Sequence, residues 1–481
     1  MSTYSNAIFK KLISMTWPIL IGQLAGISYA VLDTMMIGNY SAVGLQAMSL
    51  GSAIFVTISI SLMGVIHAII PIIAQLIGAR KNAEVGIFWG QGTWLAFILS
   101  LLVGLLMLFP DMWLSISGEV SQVVRDEITI YLRICYLALP AMMMYRAVYA
   151  ICTSSQNPRH IMYISIVGTL SKALLNWILI FGKLGLPALG SAGAGLSTLI
   201  VSWITYTVGL FIIFKNPVYD KFLLHLGRPK FKPIKQILNL GIPMGGSYFV
   251  EISIFSFMAL FVAREGIYVS GAHQILTSFV SVMYMIPQSI SICTSALAAQ
   301  AIGARKYILS HNTVKMGTYL VLAGYAILAL TVILFKVPLV DLYTNNTDVA
   351  HITLIMISII PFFHLADALQ CYVPYILRAH KIATVPFVTQ SIILLGIGLA
   401  GGYYFGFGAG RGNIKFLTEF IVPNAPIGIA SMWTMITISL YICTAILGTW
   451  YYFVIKELIP KSRKNNMPFY YKKDLFKRKK P

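Results

Sequence analysis

AQLIGARK at residues 74–81 returns as AQAIGARK at residues 299–306, identical at seven of eight positions across an offset of 225. The offset carries outward without a gap, placing Pro18 on Pro243 and Ala47 on Ala272, while Pro140 and Pro361 correspond at an offset of 221. Apolar segments resemble one another by composition alone, but Gly-Ala-Arg-Lys is not the composition of an apolar run. The chain therefore reads as a duplicated unit, 1–214 and 236–455, joined by a basic linker at 215–235 and followed by a basic tail at 456–481.

What surrounds the repeat sets the solvent. The 481 residues are 58% hydrophobic and only 10% charged, where a soluble domain carries charge at about 25% of its positions. Apolar runs of about 20 residues, enough to cross a bilayer core as a helix, recur at roughly 15–38, 47–77, 91–109, 128–150, 161–182, 191–214, 236–262, 272–302, 314–335, 351–376, 383–406 and 427–455. These runs are unbroken rather than alternating, which excludes a barrel. The fold class is an all-α integral membrane protein with twelve transmembrane helices in two pseudo-symmetric six-helix lobes. Six spans per half give both halves one orientation, with the pseudo-axis along the membrane normal and a cavity between the lobes.

The net charge of +20 is a matter of topology. Ten of the 35 Lys and Arg lie between Lys456 and Lys480, and 26 fall on the side shared by both termini and the linker, against six on the other. That asymmetry predicts cytoplasmic termini in a cell (inner) membrane, and a basic tail that meets anionic lipid headgroups. No nucleic-acid-binding motif is present, so no nucleic-acid partner is expected. Cys135, Cys152, Cys293, Cys371 and Cys443 lie in apolar runs without CxxC spacing and read as small packing residues. The run GSAGAGL at 190–196 lacks the strand and the Lys-Ser/Thr of a phosphate loop and reads as close helix packing. With no hydrolase, metalloprotease or ATPase motif, the chain is expected not to be an enzyme, and its energy source is expected to be an ion gradient.

Three of the 15 acidic residues fall within spans: Asp33, Glu251 and Asp367. Each costs roughly 2.5–3.5 kcal/mol at mid-membrane, so each marks a cavity or a partner. Glu251 and Asp367 belong to the second lobe, where a carboxylate pair at low dielectric holds either a proton or a cation such as Na+. His364, one turn before Asp367, is placed to hydrogen-bond that carboxylate or to relay a proton, and Gln274 and Gln370 offer neutral oxygen ligands. Asp33 stands in the first lobe with two basic residues, Lys172 and Arg146. The spacing of Lys172 and Asn176 puts ammonium and amide on one helix face, favouring an Asp33 to Lys172 pair over a lysine that snorkels to the interface. Pro18, Gly64, Pro71, Pro140, Pro243, Pro287 and Pro361 are candidate bending points.

Together these residues resemble the multidrug and toxic compound extrusion (MATE) family in its NorM-like branch, from about Trp17 to Phe453. The resemblance rests on P-x(14)-D-T at Pro18, Asp33 and Thr34; P-x(7)-E at Pro243 and Glu251; AHQ at 272–274; D-x-x-Q at Asp367 and Gln370; Leu377-Arg378; and NWILIFGKLGLPALG at 176–190. It implies a V-shaped, two-lobe antiporter exporting small organic cations or drugs in exchange for Na+ or H+. Coupling falls to Glu251 and Asp367 in the second lobe and to Asp33 in the first. No cofactor beyond the coupling ion is implied, and the chain is expected to act as a monomer. Three positions depart from the branch: Gly26 stands where Gln is usual, Lys172 where Asn is usual, and the 378–382 loop lacks the usual Gly and Asp. A fixed ammonium at Lys172 competes with a metal ion for Asp33 and adds weight to proton coupling. The alternative is a lipid or lipid-linked oligosaccharide flippase of the related MOP superfamily, which would want a cationic cavity; Arg133 and Arg146 keep that reading open.

Overall fold

The structure, a computed structural model, describes residues 3–114 and 121–464. The basic tail from residue 465 onward lies outside the described residues. Among the described residues twelve helices are long and apolar enough to cross a membrane: α1 (Asn6–Gly38), α2 (Val43–Gly78), α3 (Asn82–Leu108), α4 (Gln122–Ser154), α5 (Arg159–Phe181), α6 (Gly190–Lys215), α7 (Phe231–Glu265), α8 (Ile267–Gly303), α9 (Tyr307–Asp341), α10 (Thr347–Ala379), α11 (Thr384–Gly406) and α12 (Ile427–Ile459). Each covers one expected span, and most overrun it, because hydropathy measures lipid depth whereas a helix continues through its polar ends.

The packing repeats between the halves. In the first, α1 lies on α5, α2 on α4, and α4 on α6; in the second, α7 lies on α11, α8 on α10, and α10 on α12. Across the halves α2 packs on α7 and α1 on α8, the same contact twice. All five cysteines are free and buried, as small packing residues should be. The GSAGAGL run packs α6 on α5, since a Cβ on Gly193 would lie 2.7 Å from the carbonyl oxygen of Leu179.

Two of the proline positions break their helices, each by the same local chemistry. Pro71 has no N–H for the His67 carbonyl, which accepts instead from Ile70 N at 3.0 Å, and α2 is interrupted at His67 and Ala68. Pro361 likewise leaves the Ile357 carbonyl to Ile360 N–H, producing a 3-10 turn at Ile357–Ile359. Pro18, Pro140, Pro243 and Pro287 stay inside continuous helices, so those expected bending points are not breaks. Gly64 is a contact rather than a hinge: its Cβ would sit 2.7 Å from Gly245 Cα of the other lobe. Two irregularities had no forecast, a kink at Phe335 ahead of Pro338 and a π-helical stretch at Ile393–Ala400 in α11.

The repeated octapeptide lies on the pseudo-two-fold axis. A Cβ on Gly78 would meet the Gln300 carbonyl oxygen at 1.9 Å, and a Cβ on Gly303 would meet that of Gln75 at 1.9 Å. The side chains reciprocate as well: Gln75 Nε2 donates to Ala379 O at 2.7 Å, and Gln300 Nε2 donates to Ser154 O. Nearer the middle of the helices Gln23 Nε2 donates to Gln288 Oε1 at 2.8 Å. Among the described residues no hydrogen bond joins the lobes beyond Gln23 toward the far end. The lobes are therefore closed together at the end that carries the linker. The linker is strapped onto α3, where Gln91 accepts from Lys230 N at 2.6 Å and donates to Arg228 O at 2.9 Å.

Candidate ion-coupling site

The first lobe builds a fully satisfied polar node from three helices. Lys172 on α5 is wholly buried, so it does not snorkel. Its ammonium lies 2.8 Å from Asp33 Oδ1 on α1, and it donates to Ser197 Oγ at 2.8 Å, Thr198 Oγ1 at 2.6 Å and Ala194 O at 3.2 Å on α6. Asn176, one turn along α5, donates to the same Asp33 oxygen at 2.7 Å and accepts from Ser197 Oγ. The expected pair is thus formed and extended, with Ser197 and Thr198 added. These two hydroxyls sit one turn beyond the glycines of GSAGAGL, whose tight packing brings α6 against α5. Arg146 takes no part in this node; the groups that act on it are the phenols of Tyr29, Tyr145, Tyr149 and Tyr248.

Removing one partner of a buried ion pair strands the other and costs about 3–5 kcal/mol. Lys172→Ala should therefore lower purified yield and melting temperature sharply, and Lys172→Ala/Asp33→Asn should recover most of the loss. Simple additivity of the two changes would reject the pair as an energetic unit.

The second lobe is built differently. Glu251 on α7 accepts two amide hydrogen bonds on Oε1, from Gln390 on α11 at 2.8 Å and from Gln370 on α10 at 3.3 Å. Asp367, one turn before Gln370, is buried and lies within electrostatic range of Glu251. No lysine or arginine forms an ion pair with either carboxylate among the described residues. Two acceptors are left with no partner, Asp367 Oδ2 and Gln390 Oε1. Buried acceptors without donors are rare in folded proteins, and a group of them is an opening for a proton or a cation. No group of three or more His, Cys, Asp or Glu that could hold a metal ion occurs among the described residues.

Two expected members of this site stand elsewhere. Neither ring nitrogen of His364 has a hydrogen-bond partner; the ring packs on Tyr325 with centroids 6.2 Å apart, so it does not bond Asp367. One turn of separation puts Cβ atoms side by side, but the imidazole turns toward α9. Gln274 is exposed and makes no hydrogen bond to Glu251 or Asp367. Its place is taken by Gln390, which sequence reading passed over. The signal for Gln390 was an amide inside an apolar span, three residues before the π-helical stretch of α11.

The halves are not chemically duplicated. At the offset of 225 Glu251 falls on Gly26, where a Cβ would meet nothing within 4 Å, and at the offset of 221 Asp367 falls on Arg146. One lobe pairs its carboxylate with a lysine, and the other has unmatched acceptors.

A twelve-helix membrane protein of two six-helix lobes, with intramembrane carboxylates in each, defines the class. The MatE family model matches residues 18–178 and again 243–404, one copy on each lobe. A probable multidrug resistance protein NorM of Aromatoleum aromaticum is 34% identical over 410 residues, covering 84% of this chain and 88% of that one. A multidrug resistance protein NorM of Vibrio vulnificus is 28% identical over 440 residues, covering 91% and 93%. The chain belongs to the MatE family, in its NorM-like branch. Solved structures agree on the fold: the eukaryotic MATE transporter AtDTX14 superposes with a TM-score of 0.85 at 17% identity, over 96% of this chain and all of that one. The Vibrio cholerae MATE transporter VcmN in its bent form gives 0.81 at 20% identity, over 95% and 99%.

Proposed function

We propose that the chain is a secondary active antiporter that exports organic cations, drugs among them, in exchange for H+ or Na+. The observation that carries this reading is the pair of orphaned acceptors beside Glu251, Asp367 Oδ2 and Gln390 Oε1. While the site is empty of its ion, two carboxylates within a low-dielectric interior hold an organic cation by charge. Entry of a proton or Na+ cancels part of that charge and weakens the hold, so ion binding and drug release are one event. A coupling of about 1–3 kcal/mol, roughly 5–150-fold in affinity, is what such a competition supplies. The NorM names of the relatives, which speak of multidrug resistance, support the same reading.

The first lobe contributes a tethered cation. Lys172 occupies the position a free ion would take at Asp33, so the exchange runs through the second lobe. The basic end that carries the linker is cytoplasmic, which makes the state described here closed to the cytoplasm. The chain works as a monomer in the cell (inner) membrane, its basic tail on anionic headgroups.

Uptake of ethidium into inside-out vesicles, with Na+ and proton gradients imposed separately, is the test. One gradient is expected to drive accumulation and the other not. Equal accumulation with no gradient at all would reject coupling. Failure to move ethidium under any gradient would turn the reading toward a lipid or lipid-linked oligosaccharide flippase, the reading that Arg133 and Arg146 keep open.

A further inference from the structure

Between the carboxylate site and the linker end lies a cluster the coupling scheme does not use. His67 at the break of α2 and Arg146 on α4 come from the first lobe, and Arg378 at the end of α10 comes from the second. Arg378 lies over the rings of Tyr248 and Tyr375, 5.1 and 5.0 Å from their centroids, and its Nη1 reaches Tyr248 Oη at 3.4 Å. His67 stacks on Tyr149 at 5.7 Å and meets Tyr248 of the opposite lobe edge-on at 6.5 Å. Both guanidiniums act electrostatically on His67, so both lie within range of the imidazole.

The hydrogen-bond accounts of this cluster differ from those at Glu251, where the orphans are acceptors. Here the groups without partners include N–H donors, Arg146 Nε, Arg378 Nε and the imidazole nitrogens of His67, of which one carries a hydrogen in any state, together with the hydroxyls of Tyr145 and Tyr149. Arg378 is 3% exposed and His67 6%, and Arg146 is half-buried with its Nε covered, so bulk water does not reach these N–H groups. Charge is unbalanced as well. Neither guanidinium makes an ion pair among the described residues. Glu251 is the carboxylate that acts on Arg378, and the groups that act on Arg146 are tyrosines. Arginine does not discharge by losing its proton, and an uncompensated buried charge costs several kcal/mol. The cation–π contacts soften this for Arg378 but satisfy no N–H.

We propose that a small monovalent anion, chloride or a carboxylate, binds between His67, Arg146 and Arg378 and ties the two lobes together in the state closed at the linker end. One anion offsets positive charge that the two guanidiniums bring together, and its three ligands present N–H donors from both lobes. Opening that end pulls Arg378 away from His67 and Arg146, so the anion must leave for the lobes to part. The inference is independent of which cation drives export.

The test uses the purified full-length chain at fixed ionic strength with chloride, bromide, acetate or bulky gluconate as the sole anion. Melting temperature should rise saturably with chloride and bromide relative to gluconate. In Arg378→Gln the apparent affinity for bromide should fall about tenfold or more, the loss of one charge-assisted bond. Stabilisation by acetate above that by chloride would assign the site to carboxylates, and stabilisation by halide alone would assign it to chloride. Should the variant fail to fold, crystals of the wild-type protein grown in bromide decide the matter, with an anomalous peak expected between the three residues. Melting temperatures indifferent to the identity of the anion, or bromide crystals with no such peak, would overturn the proposal.

Discussion

Glu251→Gln combined with Asp367→Asn is expected to bring gradient-driven efflux down to the level of vesicles without the protein, with no loss of thermal stability. The two expectations come from one physical fact. An ionisable side chain at lipid depth is held at a cost of roughly 2.5–3.5 kcal/mol, so a neutral isostere of the same size should fold at least as well. An amide in place of the Glu251 carboxylate would be a poor partner for a cation, since the carboxylate accepts two amide hydrogen bonds at 2.8 and 3.3 Å and still carries a full charge. Hydrogen bonds to charged groups are worth about 1.5–3 kcal/mol, and losing two such sites removes more than about 100-fold in cation affinity. Each single change should leave a partial defect, because one carboxylate with Gln370 and Gln390 still offers oxygen ligands. Efflux that survives the double change, measured as ethidium retention in cells and as gradient-driven uptake in inside-out vesicles, would remove the basis of the proposed mechanism.

How far these residues were legible in the sequence depends on the kind of signal each one carries. A carboxylate within an apolar run announces itself by its cost, so Asp33, Glu251 and Asp367 stood out before any geometry was known. Lys172 did so by the same rule, and its spacing from Asn176 placed both on the face that meets Asp33. Gln390 carries no charge and little cost, and its position depends on how α11 rotates against α7, which a single strand of sequence does not encode. His364 shows the opposite failure: its spacing from Asp367 is right for contact, but side-chain direction is chosen by packing against Tyr325 on another helix. Gln274 was favoured by a motif, and the helix turned it to the exposed side. The arginine and tyrosine cluster was the least visible, since its members come from α2, α4, α7 and α10 and meet only when two lobes close.

Closure itself leads to the second large effect. Gly78→Val, and more strongly Gly78→Val with Gly303→Val, should hold the linker end open and abolish transport without unfolding either lobe. At both positions the obstacle is backbone: a Cβ would stand 1.9 Å from the Gln300 or Gln75 carbonyl oxygen and under 3 Å from the Cα behind it. Backbone cannot swing aside as the end of a side chain can, and the Gln75 and Gln300 side chains are already bonded to Ala379 and Ser154 of the facing lobe. The lobes must part by more than an ångström to reach ordinary contact. Overpacking of this kind costs about 1–3 kcal/mol per site, and if the two access states differ by only a few kcal/mol, that shifts their ratio about 5- to 150-fold. The protein carries its own reporter, because Cys293 on α8 is fully buried against Thr16 of the opposite lobe. A membrane-impermeant maleimide added to inside-out vesicles should label Cys293 several-fold faster in the valine variants than in the parent, and Cys293→Ser should remove that increment. Labelling that does not change, together with transport that persists, would show that the contact between the two copies of the repeat is not the point on which the lobes close.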